Sequence, residues 1–212
     1  LFNSPGGIDG SDRYLVRENN NLVNYSWQET EEWLVLKTAI IKDEQKINLV
    51  ADQAGVSPRL IVSMLVGEQM RLYNSEREVY KKVFAPLRIL GVQSQFSWGV
   101  MGMKEATARR VEENLKNKNS DFYLGANYEK ILDYPAGVNA DSARFERLVD
   151  QKDHYYSYLY TALYLKQLMT QWEKSGYNIS KRPEIIATLF NIGFDKSIPK
   201  DNPQVGGAEI EV

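Results

Sequence analysis

One carboxylate of the sequence falls on the apolar face of a predicted helix. Over residues 57–72, apolar side chains recur at spacings of three and four, and Glu68 lies within that stripe. Ser57 suits the N-cap of this helix and Pro58 its first position. A carboxyl group on such a face loses hydration, which raises its pKa and suits a general acid. A glutamate at the edge of the stripe, paired with an arginine such as Arg71, would fit the same pattern.

The composition excludes several other chemistries. The chain has 212 residues, 43% of them hydrophobic and 25% charged, which suits one good-sized core or two small ones. A formal net charge of −2 gives no electrostatic case for nucleic acid or an anionic membrane surface. Without cysteine there are no disulfides or thiolate metal sites, and His154 is the single histidine. We therefore expect no metal, no cofactor and no nucleic-acid partner.

The termini and apolar runs bear on the cellular location. No apolar run approaches the roughly 20 residues that span a bilayer. The first residues, Leu1–Ser4, show neither an initiator methionine nor a signal peptide. We therefore expect an excised domain or a processed product, with membrane contact only through parts outside this chain. The absence of cysteine is compatible with an exported bacterial protein.

Helical patterns dominate the sequence, whereas strand signals are weak. We predict a mainly α protein with an irregular segment over residues 1–24, a helical domain over 25–194 and a C-terminal tail over 195–212. A loop with a short helical turn is expected over 117–140. The predicted helices begin at a capping box of Ser26 and Glu29 and continue over residues 43–54, 57–72, 104–116, 141–152, 155–174 and 184–192, with a helical spacing over 75–90 that Pro86 interrupts.

Three separated segments stand in an order that resembles a known family. They are the helix carrying Glu68, the run SWGVMG at 97–102 followed by Ala-Thr-Ala at 106–108, and ATLFNIG at 187–193. This order is similar to that of the lytic transglycosylases and goose-type lysozymes. The long helix also fits, because YTALYL at 160–165 looks like the helix that precedes the last motif there. The resemblance covers about residues 45–194 and implies a lysozyme-like helical fold.

The resemblance assigns site residues one by one. It implies that Glu68 is the catalytic acid and base, and that Ser97, Gly99 and Met101 belong to the substrate cleft. Asn191 and Gly193 match the last motif. On the same grounds Phe190 stands where tyrosine is usual, and Gly102 stands where glutamine is frequent. Trp98, next to Gly99 on a predicted loop, is our candidate for stacking against a sugar ring.

The activity that the resemblance implies is cleavage of peptidoglycan glycan strands between MurNAc and GlcNAc. A lytic transglycosylase needs only one carboxylate and leaves 1,6-anhydro-MurNAc ends, so the protein would work outside the cytoplasm, in the periplasm or cell wall. A hydrolytic lysozyme would need a second carboxylate, for which Glu76, Glu78, Glu105 and Asp133 are the candidates. Two further alternatives are a non-catalytic glycan-binding domain on the same scaffold and an all-α interaction module.

Overall fold

The chain forms seven α-helices and two small sheets in the part that is described. The computed structural model describes residues 13–18, 21–26, 31–75 and 97–206, and the side chains of 33–69 and 99–206. The protein is therefore mainly α, as predicted. In chain order the elements are β1 (Arg13–Glu18), β2 (Asn21–Ser26), α1 (Glu31–Lys42), α2 (Glu44–Ala54), α3 (Pro58–Ser75), β3 (Ser97–Trp98), β4 (Met103–Lys104), α4 (Glu105–Lys116), α5 (Ala140–Val149), α6 (Tyr155–Lys174) and α7 (Pro183–Ile192).

Helix α6 forms the centre of the core. It contacts α2, α3, α4, α5 and α7, and its side chains are buried on nearly every side. Leu159, Leu163 and Leu165 are completely inaccessible to solvent. A helix that is apolar all round belongs in a protein interior, and each buried leucine contributes about 2 kcal/mol of transfer free energy. These five helices are held in place by packing on α6, whereas α1 contacts α2.

The entry to α3 is set by a glycine and a proline. Gly55 ends α2 in the left-handed conformation, with φ at +65°, and its N–H bonds to the carbonyls of Ala51 and Asp52. Helix α3 then begins at Pro58, as predicted.

In the described part of the chain, no single helix is long and apolar enough to span a membrane. Helices α2 and α3 pass such a test only as a pair, and they are bent by 119° at the break between them.

The N-terminal segment differs from the prediction of an irregular structure. Strands β1 and β2 pair in antiparallel register, from Arg13 opposite Ser26 to Glu18 opposite Asn21. Ser26 therefore ends a strand instead of capping a helix, and α1 begins at Glu31. Both strands hold β-forming residues, among them Tyr14, Val16, Val23 and Tyr25. Pairing between the strands outweighs the turn-prone composition.

Other predicted elements lie close to their expected places. Helix α5 begins at Ala140 and ends at Val149, and its N-cap is Asn139, whose side chain accepts a bond from the N–H of Ser142. The segment 117–139 is a loop with one 3₁₀ turn at Ala126–Tyr128, as expected. The predicted helical spacing around Pro86 lies outside the described residues. After a 3₁₀ turn at Phe194–Lys196, residues 197–206 form no helix or strand.

A buried ion pair joins α4, α5 and α6. Arg144, only 3% exposed, donates two hydrogen bonds to Glu112 at 2.9 and 2.7 Å and one to Asp141 at 2.7 Å. The hydroxyls of Tyr134 and Tyr160 also donate to Glu112. A buried charge is tolerated when its hydrogen-bonding capacity is satisfied, as it is here. This network holds α5 in the position from which it contacts β3.

Candidate functional site

Glu68 lies in the second half of α3 and is almost completely withdrawn from solvent. It is 7% exposed, and its neighbours on the same stripe, Ile61, Met64 and Leu65, are 0%, 6% and 3% exposed. The predicted apolar stripe with a carboxylate in it is therefore a feature of the structure. The stripe is buried because it faces the core of the protein, so the carboxylate is positioned by a rigid helix.

A short hairpin follows in the chain and is packed against this helix. Ser97 pairs with Lys104 and Trp98 with Met103, and the turn over 99–102 is closed by a 3.1 Å bond from the N–H of Gly102 to the carbonyl of Gly99. Both glycines have positive φ, +66° and +58°. Residues with a Cβ rarely adopt this conformation, so the turn requires glycine at both positions.

Gly102 lies directly against the carboxylate of Glu68. A Cβ built on Gly102 would stand 2.5 Å from Oε2 and 3.3 Å from Cδ of Glu68. The carboxylate thus occupies the space into which a side chain at position 102 would project. The family that the sequence resembles often has glutamine at this position. Glycine is required here for a steric reason, because a larger residue would displace Glu68.

Three elements hold the turn in this place. A Cβ on Gly99 would stand 1.9 Å from the carbonyl oxygen of Leu148 in α5 and 3.2 Å from Oγ of Ser157 in α6. On the side of α3, the Nε2 group of Gln69 donates a 2.6 Å hydrogen bond to the carbonyl of Val100. Sequence reasoning missed Gln69, Leu148 and Ser157. The one available signal was that Gln69 is a polar residue adjacent to Glu68.

The remaining residues of the predicted cleft segment have different surroundings. Met101 is 0% exposed and Met103 3%, so both side chains pack in the core beneath the turn. Met101 therefore supports the turn and presents no side-chain surface to a ligand. Ser97 and Trp98 form strand β3, and their side chains lie outside the described residues. The stacking role of Trp98 stays a prediction.

The last predicted motif lies on α7, which contacts both α3 and α6. Phe190 is half-buried, and its ring centroid is 5.4 Å from that of Tyr164. The Tyr164 hydroxyl donates to the carbonyl of Phe190 at 3.3 Å, and burial raises the pKa of Tyr164. Asn191 is exposed, and no hydrogen bond joins it to Glu68 in the described residues. Gly193 ends α7 with φ at +89°.

The alternative carboxylates have cationic partners where they are described. Glu105 accepts a 2.8 Å bond from Arg109 one turn later in α4. Asp133 forms a 2.7 Å salt bridge with Lys116 and is largely exposed. Glu76 and Glu78 lie outside the described residues. Neither described carboxylate is paired with Glu68.

The arrangement is that of one buried carboxylate against the backbone of a glycine turn. A carboxylate held by a helix and contacted by a fixed turn can exchange a proton with a ligand bound beside the turn.

Among the described residues, no group of three or more potential ligands is arranged to hold a metal ion. Comparisons of this chain with protein families, with curated proteins and with solved structures find no significant match.

Proposed function

We propose that this protein is a lytic transglycosylase, which cleaves the glycan strands of peptidoglycan between MurNAc and GlcNAc. One observation carries the proposal. Glu68 and Gly102 belong to two different segments of the sequence resemblance, and the carboxylate of the first lies against the backbone of the second. Packing alone brings these segments together, because they are far apart along the chain.

The mechanism requires Glu68 to act twice. In its protonated form Glu68 donates the proton to the glycosidic oxygen, and the bond between that oxygen and the anomeric carbon breaks. The carboxylate then accepts the proton of the MurNAc 6-hydroxyl, whose oxygen attacks the same anomeric carbon. The product is a 1,6-anhydro end, no water is consumed, and Glu68 is again protonated. One carboxylate is therefore sufficient, because the proton that Glu68 donates in the first step is replaced in the second.

The two described candidates for a second carboxylate favour this route over hydrolysis. A glycosidase that uses water or a covalent intermediate needs a second carboxylate within about 5–10 Å of the first. Glu105 is paired with Arg109 and Asp133 with Lys116, so each of these carboxylates already has a cationic partner. Intramolecular attack by the 6-hydroxyl avoids this requirement. Because the substrate is peptidoglycan, the proposal also places the protein in the periplasm or cell wall.

A second candidate is a glycan-binding domain without catalytic activity. The observation that favours it is the lack of a polar side chain at two positions of the motifs that carry the resemblance. Gly102 offers only backbone to a glycan, and Phe190 has no hydroxyl with which to orient Glu68. Such a domain would bind sacculi without releasing fragments.

The deciding experiment compares Glu68→Gln with Glu113→Gln on purified sacculi. Glu113 is exposed in α4 and serves as a matched control. We expect Glu68→Gln to lower the rate of release by a factor of about 10²–10⁴, as for loss of a general acid, and Glu113→Gln to leave it unchanged. Release by Glu68→Gln at the wild-type rate would contradict the proposal. Binding of sacculi by the wild type with no release would favour the second candidate.

A further inference from the structure

A concave site lies at the first half of α3, away from Glu68. It is a cavity of about 590 Å³ between the end of α2, the start of α3, one side of α6 and the segment 178–183. Pockets that hold small molecules have volumes of about 300–1,000 Å³. The last cavity residue of α3 is Ser63, five residues before Glu68, which is about 7.5 Å along the helix axis. The cavity is therefore separate from the proposed catalytic site.

Two oppositely charged side chains of α6 line this cavity, and Arg59 of α3, which already has an interaction within the protein, lines it as well. Lys166 is half-buried and Glu173 is exposed. In the described part of the chain, neither side chain forms a hydrogen bond or a salt bridge. The Nζ of Lys166 and the hydroxyl of Tyr128 lie 3.8 and 3.7 Å from the point where a Cβ on Gly55 would stand. Two hydrogen-bond donors, the Lys166 ammonium and the Tyr128 hydroxyl, therefore lie close to the C-terminal end of α2.

The spacing of the two charges defines the shape of a ligand. Lys166, Met169 and Glu173 follow one another at intervals of three and four, so they lie on one side of α6. The seven-residue separation of Lys166 and Glu173 corresponds to about 10.5 Å along the helix. An extended peptide advances about 3.4 Å per residue, so three residues cover this distance. The order along α6 is cation, apolar side chain, anion.

We propose that this cavity binds a short peptide of about three residues. The carboxylate of the peptide pairs with Lys166 and its amino group with Glu173, while its central side chain packs on Met169 and on Leu60 of α3. Each charged end of the peptide meets a group of opposite sign that has no described partner in the protein. The proposal concerns binding alone and does not rest on glycan cleavage.

Calorimetric titration of the protein with the tripeptide Ala-Leu-Ala tests the proposal. The peptide is compared with its C-terminal amide and with its N-acetyl form. We expect the free peptide to bind, and each blocked form to bind about tenfold more weakly, as for loss of one hydrogen bond to a charged group. Lys166→Gln should abolish the difference between the free peptide and its amide. Glu173→Gln should abolish the difference between the free peptide and its N-acetyl form.

Two variants control for general effects of charge. Lys130→Gln and Glu113→Gln remove exposed charges of the same sign outside the cavity, and both should bind the free peptide as the wild type does. Thermal melts verify that the cavity variants are folded. Absence of binding by the wild type would overturn the proposal. Equal affinity for the free and blocked peptides, or binding that Lys166→Gln and Glu173→Gln leave unchanged, would overturn it as well.

Discussion

Replacing Gly102 with alanine should disturb Glu68 in a way that can be measured without any substrate. At φ of +58° an alanine costs about 1–2 kcal/mol in backbone conformational energy. Its methyl group would also stand 2.5 Å from Oε2 of Glu68, whereas ordinary contacts begin at 3.4 Å. The carboxylate must therefore move by roughly 1 Å, a misplacement that can lower a catalytic rate about 10²-fold.

Gly137→Ala is the matched control for the backbone term. Gly137 also has positive φ, +81°, but a Cβ there meets no atom within 4 Å. Its replacement should cost only the backbone energy of about 1–2 kcal/mol, which corresponds to a fall in Tm of about 2–8 °C for a chain of this size. Gly102→Ala should melt at a lower temperature than Gly137→Ala, because it adds the contact with Glu68.

Thermal unfolding followed by circular dichroism provides the assay, and a double variant identifies the cause. When Glu68→Ala is combined with Gly102→Ala, the new methyl group has no carboxylate to displace. The two changes should then destabilise the protein by less than the sum of their separate effects. If Gly102→Ala melts at the temperature of Gly137→Ala, or if the two changes are additive, the contact between Gly102 and Glu68 is not as described.

Three further outcomes follow from the same geometry. Gly99→Ala should lower the Tm more than Gly102→Ala does, because the 1.9 Å contact is with a backbone carbonyl of α5 that cannot rotate away; equal melting temperatures would contradict this. Phe190→Tyr should leave the Tm unchanged, and leave the rate of sacculus release unchanged or raise it, since the ring is only half-buried; a large loss of stability would show tight packing. Burial raises the pKa of Tyr164 above 10.0, so the folded state keeps this proton while the unfolded state releases it, and stability should fall as the pH rises above about 10. Tyr164→Phe should show a shallower fall in Tm between pH 9 and 11 than the wild type, and identical slopes would refute the assignment.

Much of the helical framework could be predicted because its signals are local. Helices α2 and α3 are marked by Gly55, which takes the left-handed conformation that ends a helix, and by Pro58, which suits a first helical turn. The apolar stripe through Glu68 could be read from residue spacing alone. The hairpin of β1 and β2 could not, because its strands are stabilised by pairing with each other and their composition also suits a loop.

The surroundings of Glu68 were accessible only through the structure. The sequence shows Gly102 as a departure from the resembling family, and the cause of the departure is a contact with a residue 34 positions earlier. The support of the turn by Gln69 and by the Leu148 carbonyl also joins distant parts of the chain. Contacts of this kind leave no periodic pattern, since each depends on how three helices pack around one turn.

Mass spectrometry of the fragments released from sacculi tests the proposed reaction most directly. The wild-type protein should release muropeptides that end in 1,6-anhydro-MurNAc, each lighter by one water than the hydrolytic product, and Glu68→Gln should release almost none. Reducing ends in place of anhydro ends would contradict the transglycosylase reaction and require a second carboxylate. Anhydro ends released equally by Glu68→Gln would contradict the assignment of Glu68 as the acid and base.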